Sequence, residues 1–195
     1  MKYIIICLLL NLSISAEAKT ENVWSEFIKI PNIANYNKCV GAISSSKLNG
    51  QNANRCVTCS ELFDDSLKLQ HFLTLVEKGN RNALDIAVKL TPLSDGHVKE
   101  EICRSIGKTI KRQAEELLTI IINNNSNNED VKCMVTILGD EFSDNDKKRL
   151  SEINDRIKHI SRIHDKKLYW PKNMVNKYLS DYSATITRVL KEQTQ

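Results

Sequence analysis

The chain has 195 residues, with 28 Lys and Arg against 24 Asp and Glu, a net charge of +4, six cysteines, six glycines and three prolines. That length suits a single core, and so few turn formers disfavour a many-stranded sandwich or barrel. A small positive excess interspersed with abundant acids lacks the concentrated basic stripe that phosphate tracking needs, so no nucleic acid is expected as a partner.

The first residues, Met1-Lys2-Tyr3, carry a short basic start. An apolar run from Ile4 to Leu10 continues through Leu12 to Ile14 and closes on Ala16-Glu17-Ala18. This is the pattern of a secretory leader, with cleavage expected after Ala18 and a secreted product. Cys7 would leave with the leader, which leaves Cys39, Cys56, Cys59, Cys103 and Cys133 as disulfide candidates. Residues 19–140 carry 15 basic and 15 acidic side chains, whereas residues 141–195 carry 12 and 8. The positive excess therefore lies behind the last cysteine.

Val23, Trp24, Phe27 and Ile28 suggest an N-terminal helix. The segment Pro31–Arg55 is rich in Asn, Ser and Gly and reads as an irregular connection held by Cys39. Leu62, Leu69, Leu73 and Val76 recur at helical spacing up to a stop at Gly79-Asn80. A shorter helix is predicted over 82–90, ending at Thr91-Pro92. The longest begins near Asp95 and places Val98, Ile102, Ile106, Ile110, Ala114, Leu117 and Ile121 on one face, ending in the Asn-rich run 123–128. Val131, Met134, Val135 and Leu138 suggest a short helix. Ser143 is a candidate cap for the next one, whose stripe is Leu150, Ile153, Ile157, Ile160 and His164. Leu168-Tyr169-Trp170-Pro171 breaks that stripe, and Pro171 suits the first turn of a final helix with Val175, Tyr178, Leu179, Tyr182, Ile186 and Val189 inward.

The expected fold class is all-α: a disulfide-linked helical domain with an antiparallel C-terminal helical hairpin packed on it. The expected organisation is a signal peptide over 1–18, an N-terminal helix and irregular segment over 19–55, a cysteine-bearing helical domain over 56–140 and a basic helical hairpin over 141–195.

Cys56-Val57-Thr58-Cys59 admits three readings. A zinc site lacks a second short-spaced pair of ligands, and a redox pair lacks the βαβ setting of thioredoxin-like proteins. Structural bridges are the remaining reading, with two thiols on one helix face free to reach toward other helices. Five cysteines cannot all pair within one chain, so one is free or makes a disulfide-linked dimer.

Three stretches resemble a saposin-type domain over Cys56 to Gly139. These are Cys56-Val-Thr-Cys59 leading into an amphipathic helix, Ile102-Cys103 opening a helix with Ile106, Ile110 and Leu117-Leu118, and Val131-Lys-Cys133-Met-Val-Thr-Ile-Leu-Gly139. The closing cysteine after Leu138 and a partner for Cys103 near Leu90 are absent. The resemblance implies a Cys59–Cys133 bond, a small secreted helical fold and interaction with lipid.

Cations beside the apolar stripes suit an anionic lipid surface, and Lys108, Lys111, Arg112, Arg156 and Arg162 are the candidate contacts. The alternative is a secreted factor that acts on an extracellular protein. No catalytic, cofactor-binding or metal-binding residue is nominated, because His71, His97, His159 and His164 show no ligand spacing and no nucleophile elbow or phosphate loop is present. No enzyme activity and no cofactor are expected. Asn124-Asn125-Ser126 fits an N-glycosylation acceptor at Asn124.

Overall fold

The first described helix owes its start to Asn22, whose side-chain oxygen accepts from the Trp24 N–H at 2.9 Å and satisfies one of the donors that open any helix. The computed structural model describes residues 22–48, 56–193 and 195. The leader over 1–18 and the segment 49–55 lie outside the described residues. All regular elements among the described residues are helical, and the longer ones run α1 Val23–Lys29, α2 Ile33–Leu48, α3 Val57–Phe63, α4 Ser66–Glu77, α5 Arg81–Leu90, α6 Gly96–Asn123, α7 Asn128–Thr136, α8 Asp146–Ser161 and α9 Tyr169–Glu192. Short 3-10 turns at 91–93, 140–142 and 166–168 join some of them.

Two elements differ from what composition suggests. The expected irregular stretch after Pro31 contains α2, a 16-residue helix, because Tyr36, Cys39, Val40 and Ile43 fall on one side and pack inward. The stripe from Leu62 to Val76 is two helices, not one. Asp65 breaks it by adopting extended backbone and accepting from the Lys68 N–H at 3.0 Å as the cap of α4. In the same way the cap of α8 is Asn145, not Ser143: its side chain accepts from the Lys148 N–H at 2.9 Å.

Gly79 ends α4 as expected, with φ +86°. Its N–H donates to Val76 O and that of Asn80 to Leu75 O, which closes the helix in a Schellman motif. Asn125 does the same at the end of α6 with φ +48°, its N–H reaching Ile122 O and that of Ser126 reaching Ile121 O. The Asn-rich run is thus a cap, since Asn tolerates the left-handed region better than other non-glycine residues. Asn80 then caps α5 by accepting from the Ala83 N–H at 2.9 Å.

The long helix α6 is the axis of the core. Ile102, Ile106, Ile110, Leu117, Leu118 and Ile121 are all buried, and each fully buried aliphatic of this kind contributes about 1.5–3 kcal/mol. The helix kinks at Gln113, whose backbone leaves helical values at φ −136°, ψ 34°. There its side-chain Nε2 donates to Gly79 O at 2.9 Å, so the α4–α5 turn is held against the kink.

The C-terminal α8 and α9 form an antiparallel hairpin packed on α6 and α7. Ile153 and Ile160 of α8 meet Val175, Leu179 and Ile186 of α9 within the buried cluster. Arg149 contacts Tyr182, and Ser183 donates to Asn154 at 3.1 Å. His164, expected on the α8 stripe, is exposed just past the helix end, and Ile163 is buried in its place.

A polar junction joins α2, α5 and α6. Asp85 accepts from Tyr36 Oη at 2.6 Å, from Asn124 Nδ2 at 2.9 Å and from Lys89 Nζ at 3.0 Å. Burial alone would raise the Asp85 pKa, but these three donors hold it below the usual carboxylate value. Burial first, and the carboxylate second, push the Tyr36 hydroxyl up to about 12. Because the folded pKa of Asp85 is depressed, its contribution to stability is complete above the unfolded carboxylate value of about 4 and is lost as pH falls through the lower folded value. Urea unfolding followed against pH should therefore show an acid-side loss of stability that is smaller in Asp85→Asn than in the native chain. The raised Tyr36 value works the other way, its contribution being present below about pH 10 and lost as pH rises toward 12.

Candidate functional site

The disulfide pairing decides which cysteines are available for chemistry. Cys56 bonds Cys59, with their Cα atoms 5.1 Å apart, and Cys103 bonds Cys133 across 5.6 Å. Both spans lie in the ordinary range for a bridge. The i, i+3 spacing that puts Cys56 and Cys59 on one face brings them to each other, so neither reaches out to another helix. The Cys59–Cys133 bond implied by the saposin-type resemblance is replaced by Cys103–Cys133, which ties α6 to α7. Cys39 stays a thiol and is wholly buried, so it cannot link two chains without opening the fold. Its Sγ lies 3.5 Å from Val23 O, and burial, reinforced by Glu26, pushes the thiol up to about 12. At neutral pH it is protonated and unreactive.

The nominated cations divide sharply. Lys108 pairs with Glu77 at 3.1 Å, and Lys111 with Glu152 at 2.6 Å and Asp155 at 3.6 Å. Arg112 donates to the Glu77 carbonyl. Lys99 and Arg104 are likewise paired, with Asp130 and Asp140. The cation row of α6 thus fastens neighbouring elements to one another and is not left free for a partner. Arg156 is no surface residue at all, being 1% exposed. Its Nη1 donates to Val135 O at 2.8 Å and Ile137 O at 3.1 Å, capping the end of α7, and its Nε donates to Glu152 at 3.2 Å. Arg162 is exposed, and among the described residues it enters no ion pair.

Asn124 is occupied as well. Its Nδ2 donates to Asp85 and to Ile120 O, both at 2.9 Å, so the one hydrogen that a glycan replaces would be taken from one of these two bonds. The fold disfavours modification there.

Arg162 stands at the tip of the hairpin, where the chain alternates between inward and outward side chains. Ile163, Leu168 and Pro171 are buried, while Arg162, His164, Lys166, Lys167, Tyr169 and Trp170 are exposed. The turn is firmly built. Lys172 Nζ donates to Ser161 O at 2.9 Å and Ile163 O at 2.7 Å, satisfying carbonyls at the end of α8, and Asp165 accepts from the Lys167 N–H at 2.9 Å. Between residues 158 and 172 there are five Lys and Arg against one acid, Asp165. That local excess of four equals the net charge of the whole chain. None of Lys158, Arg162, Lys166 and Lys167 is in an ion pair among the described residues. Beside these cations Tyr169 is 68% and Trp170 63% exposed.

Among the described residues no group of three or more His, Cys, Asp or Glu side chains is placed to hold a metal ion. A groove of about 510 Å³ between α4 and α6 is lined by Glu77, His97, Glu101, Ser105 and Lys108. Within it Ser105 and Lys108 both donate to Glu77, and His97 lies 3.2 Å from Glu101. The residues that periodicity misses are Tyr169 and Trp170. Their signal is two adjacent aromatics, preceded by two lysines, in a break between amphipathic stripes and therefore at a turn.

These observations define an all-α, disulfide-bonded protein with a basic, aromatic hairpin tip. No protein-family model matches the chain, and no curated protein or solved structure matches it.

Proposed function

We propose that this chain is a secreted, non-enzymatic helical protein that associates with anionic membrane surfaces through the tip of its C-terminal hairpin. The carrying observation is the set of four exposed cations at the tip, Lys158, Arg162, Lys166 and Lys167, which stand against one acid, Asp165, and enter no ion pair among the described residues. Unlike the α6 cations, these are already free of intramolecular pairing and need break no ion pair to meet phosphate. Two disulfides fit an oxidising compartment. No helix among the described residues is long and apolar enough to cross a membrane, so the association is peripheral in this reading. The reading rests on the tip and not on the saposin-type resemblance, whose bond pattern the chain does not share.

Each Lys or Arg near an anionic leaflet contributes about 1 kcal/mol, screened by salt. Lys166→Gln with Lys167→Gln should therefore weaken binding to phosphatidylglycerol-containing vesicles by about 30-fold, and added salt should weaken the native chain likewise. Lys108→Gln should change binding little, since that cation is engaged with Glu77. Vesicle co-sedimentation measures all three. Absence of binding to anionic vesicles at low salt would remove the proposal and leave an extracellular protein as the partner class.

A further inference from the structure

We infer that Tyr169 and Trp170 are an interfacial wedge, entering the headgroup–acyl boundary of an anionic bilayer while Arg162, Lys166 and Lys167 hold the phosphates around them. This deepens the reading above and rests on it. Charge alone explains attraction to the surface and leaves the aromatics without a role.

The chain has two tryptophans, and the fold treats them in opposite ways. Trp24 is wholly buried and its Nε1 donates to Thr58 O at 2.7 Å. Trp170 is 63% exposed, and its indole N–H has no partner among the described residues. An indole combines a large apolar body with one polar edge, which is why tryptophan collects where one side is apolar and the other wet. The membrane interface is such a place, and Tyr beside Trp is the pairing found there.

The exposure belongs to the fold and is not an accident of a loose loop. Leu168 before the pair and Pro171 after it are both buried, so the two aromatic residues between them are pinned from either side. Lys172 fastens the same turn to the end of α8. Pre-setting the aromatics in this way lowers the ordering cost of insertion. Lysine and arginine stems are long enough to keep their charges at phosphate level while shorter neighbours go deeper. Charge complementarity selects the bilayer surface: the tip carries one acid, Asp165, and that carboxylate already accepts from the backbone.

The test uses the full, oxidised chain with phosphatidylcholine vesicles, with and without phosphatidylglycerol, some brominated near the headgroup end of the acyl chain and some near its terminus. The wedge requires a blue shift of tryptophan emission on anionic vesicles and quenching chiefly by the shallow bromines. Trp170→Phe should abolish that quenching, because the remaining Trp24 is buried. Tyr169→Ala with Trp170→Ala should weaken binding at least about tenfold, with far-ultraviolet circular dichroism unchanged. Binding that is salt-sensitive but leaves tryptophan emission unmoved, and is indifferent to the double alanine variant, would overturn the wedge and leave the charge reading standing. No binding to anionic vesicles would sink both. An equal blue shift on mixing with polyglutamate would also overturn it, by showing that the tip takes acidic polypeptide instead of a bilayer.

Discussion

Replacing Arg156 by alanine is expected to destabilise the protein by about 3–5 kcal/mol, the usual cost of removing one member of a buried, hydrogen-bonded ion pair. The guanidinium is 1% exposed and does three things at once. It neutralises Glu152, itself 11% exposed, and it satisfies the carbonyls of Val135 and Ile137 where α7 ends. Alanine leaves two carbonyls without their donor, Glu152 with Lys111 as its remaining partner, and an empty volume. Burial holds the Arg156 pKa below its ordinary value, with Glu152 pulling the other way. Arg162→Ala, six residues on, should shift stability by less than about 0.5 kcal/mol, as exposed substitutions do. Urea denaturation of the two variants separates a structural arginine from a surface one.

Gly107 makes the same site testable from the other side. A Cβ there would sit 2.5 Å from Arg156 Nη1 and 3.0 Å from Met134 O, so α6 approaches this closely only because the position has no side chain. Gly107→Ala should be destabilising in the native chain despite alanine's better helix propensity. In the Arg156→Ala background much of that clash is gone, and the two changes should be markedly non-additive. Additive effects in the double-mutant cycle would show that the arginine does not occupy this space.

Much of the helical frame is legible in the sequence. The α6 face from Ile102 to Ile121 follows directly from steps of three and four, and Gly79-Asn80 marks the end of α4 where the chain needs a positive φ. Composition hides α2, because Asn, Ser and Gly dilute a stripe that is nonetheless present at Tyr36, Cys39, Val40 and Ile43. An unbroken apolar rhythm conceals the stop at Asp65, since a capping carboxylate and a solvated one look alike in a string of letters. Arg156 is the instructive failure. It occupies the i+3 position between Ile153 and Ile160, on the buried face of α8, yet charge suggests solvent. Only tertiary placement shows that two orphan carbonyls of α7 wait there. The hairpin tip is half legible: its charge excess can be counted, but that Tyr169 and Trp170 point outward follows from Leu168 and Pro171 taking the inward positions.

The two disulfides should differ in consequence as much as in sequence separation. Cys103–Cys133 spans 30 residues and Cys56–Cys59 only three. On the chain-entropy account a loop of that longer size restricts the unfolded state by about 3–4 kcal/mol, and the shorter by about 2. The longer bridge also staples α7, a nine-residue helix, to the central α6. Against a total stability of order 5–15 kcal/mol for a domain, losing it is a large fraction. Cys103→Ser with Cys133→Ser should therefore lower the urea midpoint substantially. Cys56→Ser with Cys59→Ser should lower it much less, and Cys39 bears on both results. Because that thiol is buried and protonated, it does not enter exchange in the folded state. Mass mapping of the Cys56→Ser single variant should then find Cys59 reduced, or bonded to Cys39 only if refolding has passed through an unfolded, oxidising stage. Equal loss of stability from the two double variants would show that chain restriction is not what these bridges contribute. In that case the packing of each cysteine would have to account for it.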